Sequence, residues 1–312
     1  MIQQENLTDS FALSEASPKD KPWDKHRANA DKVQKLYRQL EYDRYADRME
    51  ECSQWLLFGF EQEGEEGALK FALSSAKFCR VRHCPVCQWR RSLMWFKRFH
   101  NVLPKVLEDY PKGRFLFLTL TAKNCQPEEL RSTVRWMNSS WRKMVRRKSF
   151  PAIGWIKSVE VTRSSDGLAH PHFHIILMVN ASYFKGKNYL SHEDWVQLWK
   201  ESLKVNYDPI VNIKAIRAKG DQTAIISALK ETLKYTVKEV DLQSDMEWLK
   251  VLTQQLHNVR ALGVGGILKD YLSEDESQDF VHLDENEPSQ LEEETAKLAF
   301  TWREREQKYR SA

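Results

Sequence analysis

Residues 170–174 read His-Pro-His-Phe-His, and the chain runs straight on into Ile175-Ile176-Leu177-Met178-Val179. Histidines two apart on a strand point to the same face, so His172 and His174 can grip one metal ion. The apolar run behind them fits a buried strand that holds the pair rigidly. His170 shares their face, with its direction left open by Pro171. Upstream, Ser164-Ser165-Asp166-Gly167 is a strong turn signal. A hairpin symmetric about Asp166 sets Glu160 opposite His172 and puts Ser158, Glu160 and Thr162 on one face. Two imidazoles and a carboxylate suit a divalent cation with positions open for phosphate oxygens. Mg²⁺ prefers oxygen, so Mn²⁺ fits this mixed set better. A one-residue slip of register would turn Glu160 away.

A second constellation lies in Asp221–Val240, which reads as a helix. Glu231, Tyr235 and Lys238 are offset by four and three, so they share a helix face. A phenol with a pKa near 10 is a poor nucleophile at neutral pH, and a neighbouring ammonium with a metal-polarised phosphate would help it attack. Lys238 can hold the phosphate, and Glu231 can take the proton from the tyrosine or later from water. Taken alone, this spacing is common on charged helix surfaces.

The third is Cys79-x4-Cys84-x2-Cys87, a zinc-knuckle shape one cysteine short. Cys52 is the first candidate for the fourth ligand and His83 the second. Zinc would staple a module with little core of its own. Arg80, Arg82, Arg90 and Arg91 surround the cluster, which points to DNA. Cys125 stands apart and reads as structural.

These residues need elements to position them. Residues 1–28 read as a flexible segment. Residues 29–110 read as a helical and zinc-knuckle-like DNA-binding module, irregular over Cys52–Cys87 and helical over Trp89–Leu107. Residues 111–272 mix strands (Arg114–Ala122, Trp155–Thr162, the histidine strand, Pro209–Ile216) with helices, including one capped by Ser191. This mixture lacks strict alternation, so the expected class is α+β with a largely antiparallel central sheet flanked by helices. Gly263, Gly265 and Gly266 read as a turn. Residues 273–312 read as an acidic linker followed by a charged helix over Thr295–Arg310.

Charge is unevenly spread. Residues 270–294 hold 11 acids and no Lys or Arg, so the overall +4 conceals a strongly basic remainder. Phe71–Leu107 and Arg131–Val159 contain no acid and eight Lys or Arg each. Arg142, Lys143, Arg146 and Arg147 fall in the second of these. Basic residues interleaved with Trp and Phe suit a polyanion whose bases can stack. The acidic segment would compete with DNA for such a face. No apolar run approaches the length of a membrane span, and the polar start of the chain is unlike a secretory signal. Clustered cysteines suit a reducing cytoplasm. No Gly-x4-Gly-Lys-Ser/Thr loop occurs, so unwinding would fall to a separate helicase.

Together the motifs resemble the rolling-circle replication initiators of small bacterial plasmids, typified by staphylococcal Rep proteins of the single-tyrosine HUH endonuclease superfamily. The likeness is carried by Phe117-Leu118-Thr119-Leu120-Thr121, by His170–His174, by Glu231–Lys238 and by Cys79–Ser92, in the family's order. It extends from about Ser17 to Leu272, with further familiar stretches at Ser17–Trp23 and Arg260–Lys269.

The resemblance implies an HUH-endonuclease fold preceded by a small zinc-binding module. It also implies recognition of the plasmid double-strand origin and attack by Tyr235 on single-stranded DNA. The products would be a 5′-phosphotyrosine and a free 3′-OH, which a host polymerase extends beside a host helicase. Only one tyrosine lies on the helix face, so termination needs another nucleophile, such as water activated by Glu231. The implied setting is the bacterial cytoplasm, with a homodimer left open. Rival readings are a single-tyrosine HUH transposase and a non-catalytic zinc-dependent DNA-binding regulator.

Overall fold

The computed structural model describes residues 10–63, 68–216, 223–233, 242, 245–273 and 297–312. In chain order the main elements are α1 (Leu13–Ala16), α2 (Pro22–Gln39), α3 (Asp43–Glu50), β1 (Trp55–Glu63), β2 (Ala68–Ala76), α4 (Pro85–Asp109), β3 (Gly113–Thr121), α5 (Leu130–Met144), β4 (Ala152–Arg163), β5 (Ala169–Asn180), α6 (His192–Leu203), β6 (Val211–Ile216), α7 (Thr223–Thr232), α8 (Met246–Gln255), β7 (Leu262–Gly266), α9 (Ile267–Ser273), β8 (Leu298–Arg303) and β9 (Lys308–Ser311). The α+β class with antiparallel sheets is therefore present. The chain forms two compact units, and the boundary falls between Arg90 and Arg91, inside α4.

The first unit holds an antiparallel sheet in the order β2-β1-β8-β9. Three expectations change here. Residues 10–28 are helical from Leu13 onward, because Pro22 opens α2 at a position that needs no N–H, and Trp23 and Arg27 are buried. The stretch expected to be irregular between Cys52 and Cys87 contains the β1–β2 hairpin.

The third change concerns Thr295–Arg310, expected as a helix. Its described part is the β8–β9 hairpin, with Phe300, Trp302 and Tyr309 buried. Phe300 pairs with Leu56 of β1, Trp302 follows it at the alternate position, and the charged Glu304–Gln307 stretch forms the turn. Tyr309 donates its hydroxyl to Ser53 O at 2.7 Å. The C-terminal hairpin thus belongs to the first unit, not to a tail.

The second unit is built on an antiparallel five-stranded sheet, β6-β3-β5-β4-β7. One face packs on Phe99, Leu103 and Val106 of α4, Ile225 and Leu229 of α7 with Leu233 beyond it, and Leu268 and Leu272 of α9; Phe115, Ile156, Ile176 and Met178 meet them from the sheet. The other face packs on α5 and α6, as the Trp141–Trp155 and Phe173–Trp199 ring contacts show. Gly263, Gly265 and Gly266 form edge strand β7 rather than a turn. Trp155 lies across this edge, and a Cβ on Gly265 would stand 2.3 Å from its ring.

Candidate metal centre and DNA-contacting surfaces

The β4–β5 turn closes as its sequence dictates. Gly167 takes φ +82, Gly167 N–H donates to Ser164 O at 2.9 Å, and Asp166 accepts from Leu168 N–H at 3.3 Å. The resulting register pairs Glu160 with His172 and Ser158 with His174. On the other side of β5, Thr121 pairs with His172 and Thr119 with His174. Directly paired residues share a face, so two threonines, two histidines, a serine and a glutamate line one end of the sheet. The apolar part of the same face is the core beneath α4, α7 and α9.

Glu160, His172 and His174 bring one ligand atom each to within 4.8 Å of one another. Glu160 Oε2 lies 2.9 Å from His174 Nε2 and 3.4 Å from His172 Nε2. Adjacent ligands of an octahedral cation with bonds of about 2.1 Å stand about 3 Å apart, so this donor set fits a small divalent ion. His172 Nδ1 donates to His170 O at 3.2 Å, which leaves Nε2 with the lone pair when the ring is neutral. His174 Nδ1 is 3.3 Å from Thr119 Oγ1, and its ring stacks on Phe117. Burial pushes the Glu160 carboxyl up, but hydrogen bonds and charge from His172 and His174 outweigh it and bring the pKa down to about 2. Glu160 is therefore an anion at neutral pH.

His170 stands outside this donor group. Its Nδ1 lies 2.6 Å from Asn124 Oδ1, and burial with the neighbouring His172 lowers its pKa. Asn124 and Thr119 were missed as supporting residues. The alternation Phe117, Thr119, Thr121 was the signal that could have found Thr119. Edge strand β6 adds exposed Asn212 opposite Thr119 and exposed Lys214 opposite Phe117, on the same face. On the opposite face, Lys157 is buried 3.8 Å above the Phe173 ring and donates to Asn138 Oδ1 at 2.8 Å. Burial, then the charge of Arg260, brings its pKa down to about 7.

Of the expected catalytic residues, Glu231 lies in the last turn of α7, half-buried, on a helix packed against the site-bearing face. Tyr235 and Lys238 lie outside the described residues.

In the first unit Cys52, Cys79, Cys84 and Cys87 converge, all buried and none in a disulfide. Cys52 follows α3, Cys79 follows β2, and Cys84 and Cys87 flank the start of α4. Four thiolates about 2.3 Å from zinc define a tetrahedron with edges of about 3.8 Å. Cys52 Sγ lies 3.7 Å from both Cys84 Sγ and Cys87 Sγ, and Cys79 Sγ lies 3.5 Å from Cys87 Sγ. Burial raises the thiols of Cys79 and Cys84, whereas hydrogen bonds from Cys52, Cys79 and Cys84 hold Cys87 well down. This set could hold Zn²⁺, with Cys52 rather than His83 as the fourth donor.

The chain matches the replication protein (Rep) family over residues 70–310. It belongs to that family. A Protein rep of Streptococcus pneumoniae serotype 2 (strain D39 / NCTC 7466) is 34% identical over 305 residues, covering 93% of this chain and 92% of the relative. A Protein rep of Lentilactobacillus hilgardii is 35% identical over 264 residues, 81% of this chain and 82% of its own. A Replication protein of Staphylococcus aureus is 34% identical over 203 residues, 60% of this chain and 86% of its own. No solved structure matches. Membership of the Rep family makes the chain a plasmid replication initiator, a role that implies binding to origin DNA.

The basic residues expected to contact that DNA divide by geometry. Arg80 is exposed and takes a left-handed backbone (φ 55). Arg82 and Arg91 are partly covered. Arg90 turns inward, its guanidinium 5.3 Å from the Trp23 ring and near Phe78 and Trp89, which assigns it to packing. Arg142, Lys143 and Arg146 are exposed at the end of α5, while Arg147 pairs with Glu201. This cluster is not beside Glu160. It lies on the opposite face, near Trp155, about 17 Å back along β4 from Glu160. Among the described residues no helix is long and apolar enough to cross a membrane.

Proposed function

We propose that this Rep-family chain is an HUH-type endonuclease and strand transferase that nicks single-stranded origin DNA through Tyr235. The observation that carries the reading is the Glu160–His172–His174 donor set on the sheet face that α7 covers. Mn²⁺ or Mg²⁺ held there would supply Lewis-acid polarisation of a phosphate oxygen. Tyr235 gives up its proton, to Glu231 or to solvent water, and its oxygen attacks phosphorus. The P–O3′ bond breaks, leaving a 5′-phosphotyrosine and a 3′-oxygen that takes up a proton. Lys238 steadies the phosphate. In rejoining, a 3′-OH attacks the phosphotyrosine and releases the tyrosine. For termination, Glu231 activates water against the same bond.

The four-cysteine cluster, loaded with Zn²⁺, would stiffen the first unit beside Arg80, and this module would contribute to origin recognition. Unwinding and extension are left to a host helicase and polymerase.

The test is incubation of the purified protein with labelled single-stranded oligonucleotides tiled across its own replicon, with Mn²⁺ or Mg²⁺, beside Tyr235→Phe. The expected result is a site-specific nick with protein on the new 5′ end, absent in the variant. Tight DNA binding without cleavage under either metal would favour a non-catalytic regulator.

A further inference from the structure

The loop after β5 reads Ala181-Ser-Tyr-Phe-Lys-Gly-Lys-Asn-Tyr-Leu190 and contains no acid. Its aromatics are outward: Phe184 is 42% and Tyr189 54% exposed. Both lean on one anchor, Tyr183, whose ring lies 5.0 Å from Phe184 and 5.6 Å from Tyr189. Tyr183 is buried and takes a hydrogen bond from Trp195 Nε1 at 3.1 Å, so the platform is tied to α6. Exposed Lys185 and Lys187 stand between the two outward rings in sequence.

The same end of the sheet collects the cations of α5. Trp195 also meets Phe150 at 6.3 Å, so the helix that anchors the loop also packs against the stretch that carries exposed Arg142, Lys143, Arg146 and Lys148. Ala181 N–H donates to the carbonyl of exposed Lys112 at 3.0 Å. The nearby acids are committed or few: Asp194 caps α6 through Ser191, Glu201 pairs with Arg147, and Glu193 is exposed. Isolated exposed aromatics are ordinary, but two rings on a fixed third ring, near exposed cations, offer π-faces and phosphate contacts together.

We propose that Phe184, Tyr189, Lys185 and Lys187, with the basic end of α5, form a second binding surface for single-stranded DNA. The surface is remote from the nicking centre. His172 and Asn180 are separated along β5 by about 26 Å, so a strand held at the loop is not the one bound at the metal centre unless it spans the sheet. The chemistry favours single strands because base faces are available for stacking only when unpaired. As a strand is displaced from the nicked origin, such a surface would retain one segment while another reacts. That use rests on the nicking reading; the binding does not.

The test uses the full chain without added divalent metal and a fluorescein-labelled oligothymidylate, followed by anisotropy over a salt series, beside a duplex of equal length. Phe184→Ala/Tyr189→Ala should bind the oligothymidylate at least about tenfold more weakly and leave duplex affinity within about twofold. Phe184→Trp/Tyr189→Trp should bind as the natural chain does. Lys185→Ala/Lys187→Ala should flatten the slope of log K against log salt by about 1.4 for the single strand. Matching thermal melts for all variants would show that the fold is retained. Unchanged oligothymidylate affinity in the double alanine variant, or equal losses for duplex and single strand, would overturn the proposal. Cleavage of a short origin oligonucleotide by the same variants reports separately on Tyr235 chemistry.

Discussion

Glu160 stands directly opposite His172 in the β4–β5 ladder, yet its carboxylate makes its shorter contact with His174, at 2.9 Å. One carboxylate therefore bridges two imidazoles that stand two residues apart on one strand face, and a cation at that point would replace both contacts with metal bonds. Glu160→Gln should retain the fold but lose the Mn²⁺-dependent rise in melting temperature, and nicking should fall at least about 100-fold, in line with loss of a ligand or its partner. An undiminished Mn²⁺ response in Glu160→Gln would remove this residue from the site.

The cysteine geometry predicts one bound zinc per chain. Cys52→Ser should release it and lower the melting temperature, whereas His83→Ala should keep the metal. Metal content by atomic absorption, with and without chelator, decides between them. Zinc retained in Cys52→Ser and lost in His83→Ala would reverse the assignment of the fourth ligand.

Lys157 predicts an alkaline rise in stability. An unfolded lysine keeps its proton to about pH 10.4, whereas the folded one sheds it at about 7. Unfolding therefore takes up a proton between these values, and stability rises with pH across that window, by at most about 1.4 kcal/mol per pH unit. Lys157→Met should abolish this slope. Denaturant melts of both proteins between neutral pH and pH 10 measure it, and parallel curves would refute the burial argument.

Glu231→Gln separates two proton transfers. If its main task is activating water, the variant still nicks through Tyr235, but hydrolytic release of the phosphotyrosine slows by about 10²–10⁴. The covalent adduct should then accumulate on denaturing gels. Loss of the first nick to the same degree would instead make Glu231 the base for the tyrosine.

The C-terminal hairpin changes how the acidic segment must be tested. Deleting residues 273–312 would strip β8 from β1 and remove buried Phe300 and Tyr309. Phe300→Ala alone should cost about 3–5 kcal/mol. Replacing the acids of 274–294 with their amides keeps the length and the hairpin. It should tighten non-specific DNA binding at low salt, and unchanged affinity would exclude competition by this segment.

Local patterns determined much of the site. The period of two carried His172 and His174 to one face, and the Ser164–Gly167 turn fixed the register that brings Glu160 across, because both depend only on neighbouring residues. The Cys79–Cys87 spacing declared a metal-binding shape for the same reason. Contacts between distant stretches were decided only by tertiary structure. The fourth cysteine arrives because the turn after α3 meets the residues after β2, where Ser53 N–H donates to Lys77 O at 2.6 Å, and Asn124 meets His170 from beyond β3. The basic end of α5 lies on the face away from the metal centre because Trp141 is buried against Trp155. The last strands followed the same rule: Thr295–Arg310 has enough charge to read as a helix, and only the unpaired edge of β1, far away in sequence, selects a strand there.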